Sequence, residues 1–271
     1  MKKRTLFSLG MLILTFCPSI NSYAQDSPKQ DPPKPVFITM TTLHRNLDTD
    51  PKDWKATEKE YFDKVTSKND LIIGSEILTH YYTGNSTEII MVNVYKNWED
   101  IEKAEAISDD LAKKAWPDEK ARTAFFDKQR SYYSPYHSDE IYSSIETIGH
   151  KDFKASSKEP MIVYIRKSQM SMNPKGKGMK EYNEKTTLNN PFIKAYYPFR
   201  HAWGSDSRDF MEAYFYDSFA DIEKSNQKQD ELTKTAWPKE EDSKAFFDNL
   251  KLAFTGVHGD YIYHNLPEAS K

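Results

Sequence analysis

The sequence predicts an α+β fold in which the element order β-α-β-β-α-α-β occurs twice along one chain. Three observations predict it. Short motifs recur at one constant separation, as with Trp116 and Trp237, which lie 121 residues apart. Stretches with the two-residue period of strands are interleaved with stretches at helical spacing in both halves. Aromatic residues form 14% of the chain, a share that excludes a disordered chain and indicates a packed core.

The charge balance and the cysteine count exclude several classes of protein. The 271 residues carry a formal net charge of -3, so the sequence gives no basis for binding to a phosphate backbone, and we expect no nucleic-acid partner. Cys17 is the single cysteine. One cysteine excludes an intrachain disulfide framework, a cysteine-based zinc site and a bound iron–sulfur cluster.

The first residues predict export. Residues 2–4 are basic, and Leu6 to Cys17 is an apolar run that is too short to span a bilayer. Small residues follow at Ser22 and Ala24, so we expect a signal peptide over residues 1–24 that is cleaved before Gln25. The mature protein would then be periplasmic or secreted, and its residues 25–35, which are rich in proline, would form a tether.

Two alternatives to a cleaved signal stay open at the N-terminus. One is an uncleaved anchor. The other is a lipoprotein attached through Cys17, although Phe16 stands where lipoprotein signals require a small residue. No later segment is long and apolar enough to cross a membrane, so we expect no membrane span in the mature chain.

The repeated motifs predict a tandem duplication. Roughly a third of positions match without a gap over the best-matching region, far more than chance gives. The first repeat would cover residues 36–148, a polar linker residues 149–160, and the second repeat residues 161–267. The repeated motifs are Asp100-Ile101-Glu102-Lys103 with Asp221-Ile222-Glu223-Lys224, Ala115-Trp116-Pro117 with Ala236-Trp237-Pro238, Phe125-Phe126-Asp127 with Phe246-Phe247-Asp248, His80 with His201, and His137 with His258.

The first repeat divides into four strands and three helices. A strand is expected over Val36 to Leu43, followed by a helix in which Trp54, Tyr61, Phe62 and Val65 have helical spacing. Two strands, Leu71 to Tyr82 and Glu88 to Tyr95, flank a turn at Gly84-Asn85. The last three elements are a helix with Ile101, Ala104 and Leu111, a helix that begins at Pro117 and includes Phe125, Phe126, Tyr132 and Tyr133, and a strand from Glu140 to Ile145.

The second repeat gives the same elements with a weaker first helix. Its strands are expected over Met161 to Lys167, Phe192 to Trp203 and Asp209 to Tyr216, and its first helix follows Lys180. Local explanations suffice for two of the repeated motifs. Asp100 and Asp221 fit the first turn of a helix with a capping-box-like pattern, and Trp116 and Trp237 fit under a helix–helix corner.

This order gives a ferredoxin-like antiparallel sheet with helices on one face. Its other face would be bare, and two copies can cover each other there. In element order, duplication and the extra helix before the last strand, the sequence resembles the dimeric α/β-barrel superfamily, which includes antibiotic-biosynthesis monooxygenase-like and NIPSNAP-like proteins. The resemblance implies that two repeats pack sheet to sheet as an intrachain α/β barrel. It also implies cofactor-independent oxygenation or isomerisation, if the protein is an enzyme.

Strand alternation assigns residues to the two faces. Ile90, Val92 and Val94, with Met211, Ala213 and Phe215, are expected to pack on the helices. The interior would then contain Glu212 and several tyrosines, a composition that suits a small-molecule pocket. The alternative is a filled barrel whose tyrosine hydroxyls bond to each other or to water. The candidate ligand-binding residues are Arg166, Arg200, Trp203, Tyr214, Tyr216 and Tyr263.

Three residues of the second repeat are candidate catalytic groups: Glu212, His201 and His258. Glu212 aligns with Met91 of the first repeat, so the two copies have diverged there. A buried Glu212 would need an arginine or a tyrosine hydroxyl as its partner, and such a pair is as compatible with a structural ion pair as with acid–base chemistry. Asp260 stands close enough in sequence to orient His258, and a structural hydrogen-bonding role remains the alternative for the repeated histidines.

Taken together, the residues favour an exported single-chain barrel that binds a small aromatic or apolar ligand, as a monomer or a weak homodimer. No metal is expected, because no zinc-binding spacing occurs. No cofactor is expected either, with haem held by His80, His137, His201 or His258 as an alternative. The remaining alternative is a non-catalytic module of the cell envelope that contacts a protein partner.

Overall fold

The computed structural model describes residues 34–153 and 159–271. The predicted signal peptide and all but the last two residues of the predicted tether lie outside these ranges. Within them, no helix is long and apolar enough to cross a membrane.

The first half contains four strands and three helices. In chain order they are β1 (Phe37–Arg45), α1 (Pro51–Lys64), β2 (Gly74–Tyr82), β3 (Glu88–Tyr95), α2 (Glu99–Ala115), α3 (Glu119–Ser131) and β4 (Tyr133–Ser144). Asp50 caps α1, because its side chain accepts hydrogen bonds from two backbone N–H groups of the first turn, and Asp118 caps α3 in the same way through one.

The second half has the same order of elements. They are β5 (Ile162–Met170), α4 (Met179–Lys185), β6 (Ala195–Trp203), β7 (Asp209–Tyr216), α5 (Ala220–Ala236), α6 (Glu240–Leu250) and β8 (Phe254–Asn265). The helix α4 has 7 residues, whereas α1 has 14.

All eight strands belong to one antiparallel sheet that closes on itself in the order β1-β3-β2-β8-β5-β7-β6-β4. Each half contributes four adjacent strands, and two seams join the halves. At one seam β2 pairs with β8, and at the other β4 pairs with β6. Closure leaves no unpaired strand edge, so the interior of the barrel is bounded by both halves together.

Most strand and helix positions match the sequence expectations, but β4, which was expected over Glu140 to Ile145, begins at Tyr133. Tyr133 was expected at the end of a helix, but it is the first residue of β4 and pairs with Arg45 of β1. Its hydroxyl accepts a hydrogen bond from the indole of Trp54 at 2.7 Å and donates to Glu58 at 2.8 Å. These contacts come from residues about 75 positions away in sequence, so local spacing could not indicate them.

The assignment of faces on β3 and β7 was wrong. One hydrophobic cluster contains side chains from all eight strands and none from a helix, and it therefore marks the barrel interior. Ile90, Met211, Ala213 and Phe215 belong to it, with Val92 and Val94 packed against it. Tyr216 and Tyr214, in contrast, pack with Ile222 of α5 and Leu188 on the helix-facing side. Helices cover one face of this sheet and the barrel interior buries the other. An alternating sequence therefore shows that a segment is a strand, but it does not show which of its two faces lies inside the barrel.

The last strand of each half also turns a tyrosine inward. Tyr142 on β4 and Tyr263 on β8 point into the interior and are almost completely buried, with 0% and 3% of their surfaces exposed. The expected packing of the tryptophans under the helix corners is also confirmed. Trp116 stacks on Phe125 with ring centroids 4.0 Å apart, and Trp237 stacks on Phe246 at 4.1 Å.

Candidate functional site

The barrel interior contains a cavity of about 470 Å³. It lies at the end of the barrel where β1 begins and β4 ends, and its volume is within the range of small-molecule pockets. Most of its wall is apolar. From the first half the wall includes Ile38, Met40, Leu78 and Val92, and from the second half Val163, Ile165, Met211, Ala213 and Phe215.

The mouth of the cavity is polar. His150 lies between two carboxylates, with Nδ1 at 3.3 Å from Glu146 and Nε2 at 3.3 Å from Asp152. Glu146 also accepts a hydrogen bond from Ser144 at 2.6 Å. The hydroxyl of Tyr197 donates to Asp152, and burial together with this carboxylate raises the pKa of the phenol. The ring of Tyr197 forms part of the cavity wall.

Glu76 places a carboxylate on the wall of the cavity. Its Oε2 accepts hydrogen bonds from the hydroxyl of Ser270 at 2.7 Å and from the amide of Asn265 at 3.2 Å. Burial raises the pKa of Glu76, and these two hydrogen bonds offset part of the rise. Since Asn265 belongs to β8, the carboxylate also bridges one of the two seams.

Tyrosine–carboxylate hydrogen bonds cross from one half to the other in the rest of the interior. The hydroxyl of Tyr142 donates to Asp209 at 3.2 Å, and that of Tyr263 donates to Glu88 at 2.6 Å. Glu88 and Asp209 are the first residues of β3 and β7, and in both bonds the donor and the acceptor are shifted by the same 121 residues. Burial raises the pKa of both phenols, which are therefore neutral donors at any ordinary pH.

Glu212 does not face this cavity. It lies on the helix-facing side of β7, with 8% of its surface exposed. Its Oε1 accepts hydrogen bonds from the hydroxyls of Tyr196 at 2.7 Å and Tyr214 at 2.8 Å. Tyr196 in turn accepts a hydrogen bond from Asn183 of α4 at 3.0 Å. Burial raises the pKa of Glu212, and the two phenols and Arg166 lower it in part. A buried Glu212 was expected to pair with an arginine or a tyrosine hydroxyl, and its hydrogen-bond partners are two tyrosine hydroxyls.

The other predicted site residues are divided between the two faces. Arg166 and His258 share the helix-facing side with Glu212, but both pair with Asp260, at 3.9 Å and 3.4 Å. Asp260 also accepts a hydrogen bond from Tyr164, whose ring stacks on Tyr214 at 5.4 Å. The ring of Tyr164 therefore lies between the pair of His258 and Asp260 and Tyr214, which donates a hydrogen bond to Glu212.

His201 is separated from Glu212 by the sheet, since it projects from the same face of β6 as Phe199, into the interior. Its ring packs edge-on against Tyr142 at 6.4 Å, and its Nε2 is buried without a hydrogen-bond partner. Arg200 is exposed, and Trp203 has 68% of its surface exposed. The three candidate catalytic residues therefore do not converge on one point. Tyr263 remains in the interior, and Tyr216 is buried beneath α5 beside Ser225.

Sequence reasoning missed the residues at the cavity mouth. Glu76 and Tyr197 lie 121 residues apart, on β2 and β6. Both belong to predicted strands, but a position on a strand does not show which residues lie together at the mouth of a closed barrel. His150 and Asp152 belong to the stretch that was taken as a polar linker. In the structure this stretch is held by two backbone hydrogen bonds between Lys151 and Tyr196.

Solved structures with the same architecture exist. A putative monooxygenase from Fusobacterium nucleatum superposes with a TM-score of 0.58 at 11% identity, over 86% of this chain and 93% of that chain. A putative monooxygenase from Lactobacillus acidophilus gives a TM-score of 0.50 at 7% identity, over 88% and 95%. A mutant chlorite dismutase from Candidatus Nitrospira defluvii gives 0.50 at 11%, over 86% and 92%. No family model and no curated protein matches the sequence.

This chain shares a fold with these proteins. They belong to the dimeric α/β-barrel (ferredoxin-like) superfamily, and the eight-stranded antiparallel sheet with six helices is consistent with that fold. At 11% identity or less, the similarity shows the fold alone.

The cavity does not fit a haem held by histidine. Among the described residues His150 is the only histidine on its wall, and both ring nitrogens of His150 already face carboxylates. The buried, unpartnered Nε2 of His201 lies outside the cavity lining. No group of three or more potential metal ligands occurs within residues 34–153 and 159–271.

Proposed function

We propose that this protein binds a small, largely apolar molecule inside the closed sheet. The observation that carries the proposal is the cavity of about 470 Å³, whose wall is apolar and whose polar groups gather at one end. Burial of apolar surface would supply most of the binding free energy, and the groups at the mouth would orient the ligand.

Cavity filling tests this proposal. Ala213 lies on the cavity wall, so Ala213→Phe would occupy the space that a ligand needs. A neutral fluorescent probe, N-phenyl-1-naphthylamine, should gain fluorescence on binding to the unmodified chain, and Ala213→Phe should weaken its binding about tenfold or more. The matched control is Ala124→Phe, which makes the same change at an exposed position of α3. Equal probe binding by both variants, each with an intact unfolding transition, would overturn the proposal.

The tandem duplication is part of the same proposal. It is supported by equivalent contacts in the two halves. Asn69 donates to the carbonyl oxygen of Ala104 at 2.8 Å, and Asn190 donates to that of Ser225 at 2.9 Å. Each pair of positions is related by the separation of 121 residues that the motifs show. If the chain arose by duplication, each half supplies one wall of the ligand site, and both halves are needed to enclose it.

An enzymatic version of the function would use Glu212 at a site of its own on the helix-facing side of β7, separate from the cavity. Two structural neighbours are described as putative monooxygenases, which makes oxygenation the class of reaction to test, and the family resemblance of the sequence adds that it needs no cofactor. Glu212 is a buried acid held by two phenols, and burial raises its pKa above the ordinary value, the direction that suits a general acid. It would pass a proton through Tyr196 or Tyr214. For any substrate that is found, Glu212→Gln should lower kcat by about a hundredfold or more, and unchanged turnover would remove Glu212 as the acid.

Export is also proposed, from the basic and apolar leader in residues 1–24. The intact mass of the protein from its own host provides the measurement, because cleavage would leave Gln25 as the first residue. A mass that retains residues 1–24 would contradict it. The same measurement made under native conditions would report a retained ligand and would distinguish a monomer from a weak homodimer.

A further inference from the structure

The polar end of the cavity differs in charge from its apolar wall. The lining includes three carboxylates, from Glu76, Glu146 and Asp152, and two lysines, Lys34 and Lys271. A ligand with an apolar body must place its polar group among them. The chemical class of the ligand therefore depends on which of these charged groups lacks a neutralising neighbour within the protein.

Glu146 and Asp152, two of the three carboxylates, already have hydrogen-bond donors within the protein. Glu146 and Asp152 hold His150 between them, and each accepts a further hydrogen bond, from Ser144 and Tyr197 respectively. These residues lie on the segment that follows β4. Glu146, His150 and Asp152 therefore form a structural cluster at the mouth, held by contacts within the protein.

One of the two lysines already has a hydrogen-bond partner in the protein. The side chain of Lys271 donates to the backbone oxygen of Asn69 at 3.0 Å, which holds its ammonium group at the rim. Lys34 stands before β1 at the mouth. Neither lysine forms an ion pair with Glu76 within the 4 Å that defines one, so the charge of Glu76 is not neutralised by them.

Glu76 is the carboxylate that belongs to the wall itself. It projects from β2 on the same face as Leu78, and its two donors, Ser270 and Asn265, are neutral groups on a single oxygen. A carboxylate beside apolar surface is unfavourable unless a cation or further donors meet it. The equivalent position in the second half is Tyr197, so the fold does not require an acid there.

We propose that Glu76 anchors the basic end of the ligand, so that the cavity selects an apolar molecule with a protonated amine over neutral or acidic molecules of the same shape. This inference rests on the proposed ligand-binding function and adds the chemical class of the ligand. A charge-assisted hydrogen bond between an ammonium group and Glu76 would form beside apolar surface, where water competes poorly.

Three probes of equal length separate the classes: octylamine, octanol and octanoate, each used at neutral pH to displace N-phenyl-1-naphthylamine. In the unmodified chain octylamine should displace the probe at a concentration about tenfold lower than octanol, and octanoate should be the weakest. Glu76→Gln should bring octylamine and octanol to within about twofold of each other. This variant keeps an oxygen that can accept the hydrogen bonds from Ser270 and Asn265.

The matched control is Glu58→Gln. Glu58 is also buried, at 2% exposure, but it lies beneath the helices and bonds to Tyr133 and Gln129, away from the cavity lining. The preference for octylamine should persist in this variant. A preference that survives Glu76→Gln unchanged would overturn the inference, and so would octanoate competing as well as octylamine.

Failure of the inference and failure of the proposed function give different results. If octanol displaces the probe but octylamine has no advantage, the cavity binds apolar molecules and only the amine class is wrong. If the probe does not bind the unmodified chain, both proposals are wrong. Should Glu76→Gln fail to fold, the ratio of octylamine to octanol in the unmodified chain still tests the amine class of the ligand, because it requires no variant.

Discussion

At the scale of single residues, each half contains one buried glutamate beneath its helices, and the two are not equivalent. Glu58 of α1 accepts hydrogen bonds from Tyr133 and Gln129, and its counterpart at the 121-residue separation is Met179. Glu212 of β7 has Met91 as its counterpart. A methionine therefore stands in one half where the other half has a hydrogen-bonded acid.

A raised pKa makes the buried acids a cause of pH-dependent stability. Glu212 and Glu58 bind protons more tightly in the folded chain than in the unfolded chain, where the ordinary value is 4.5. The stabilisation that this provides is fully present below the unfolded pKa and is lost as pH rises through the folded pKa. Each group can contribute a slope of up to about 1.4 kcal/mol per pH unit over that window.

We therefore expect Glu212→Gln to flatten the decline in unfolding free energy as the pH rises above the unfolded pKa of 4.5. Urea unfolding at a series of pH values measures the slope. Glu231→Gln is the control, since Glu231 is exposed and pairs with Lys228, which lowers its pKa. A slope that stays the same in Glu212→Gln would show that this carboxyl group does not titrate differently in the folded chain.

At the scale of elements, α4 is half the length of α1 because the chain enters it through Gly178. The φ angle of this glycine is +110°, a region that other residues rarely adopt. A Cβ atom at Gly178 would also lie 2.8 Å from the ring of Phe246 on α6. The positions that match Trp54 and Glu58 of α1 are Lys175 and Met179, so the first two turns of the helix are replaced by a loop.

Gly178→Ala should destabilise the fold by more than about 1 kcal/mol, because it combines backbone strain with a clash against an aromatic ring. Gly84→Ala is the matched control, since no atom lies within 4 Å of its added Cβ and its φ is not positive. Thermal unfolding of the two variants gives the comparison. Equal midpoints would show that the backbone at residue 178 adjusts without cost.

Comparison of elements also shows what the sequence could predict. The periods of two and 3.6 located β3 and β7 to the residue and all six helices, because they depend on local spacing. The faces of β3 and β7 were assigned wrongly, because helices bury one side and the opposite half buries the other. The cavity mouth was missed for a related reason. His150, Asp152 and Glu76 meet only after the seams close, and no local pattern records that.

At the scale of the whole molecule, the interior depends on both halves. Two seams, β2 with β8 and β4 with β6, supply the strand pairs that each half would lack alone. Tyr142 and Tyr263 donate hydrogen bonds across to Asp209 and Glu88 of the opposite half. Separation of the halves would expose the apolar interior face and two unpaired edges at once, which is unfavourable in water.

A chain limited to residues 34–148 should therefore form a symmetric dimer rather than a folded monomer. Since β8 and β4 occupy equivalent positions, β2 of one copy would pair with β4 of the other, and the same contact would recur across a two-fold axis. Sedimentation velocity at several concentrations measures this, with a chain of residues 34–271 as the control that already contains all eight strands. A stable, folded monomer of residues 34–148 would show that the interior face does not need a second sheet. A dimer would support the interpretation of this protein as two related halves joined in one chain, and its cavity would have two identical walls, each with a copy of Glu76.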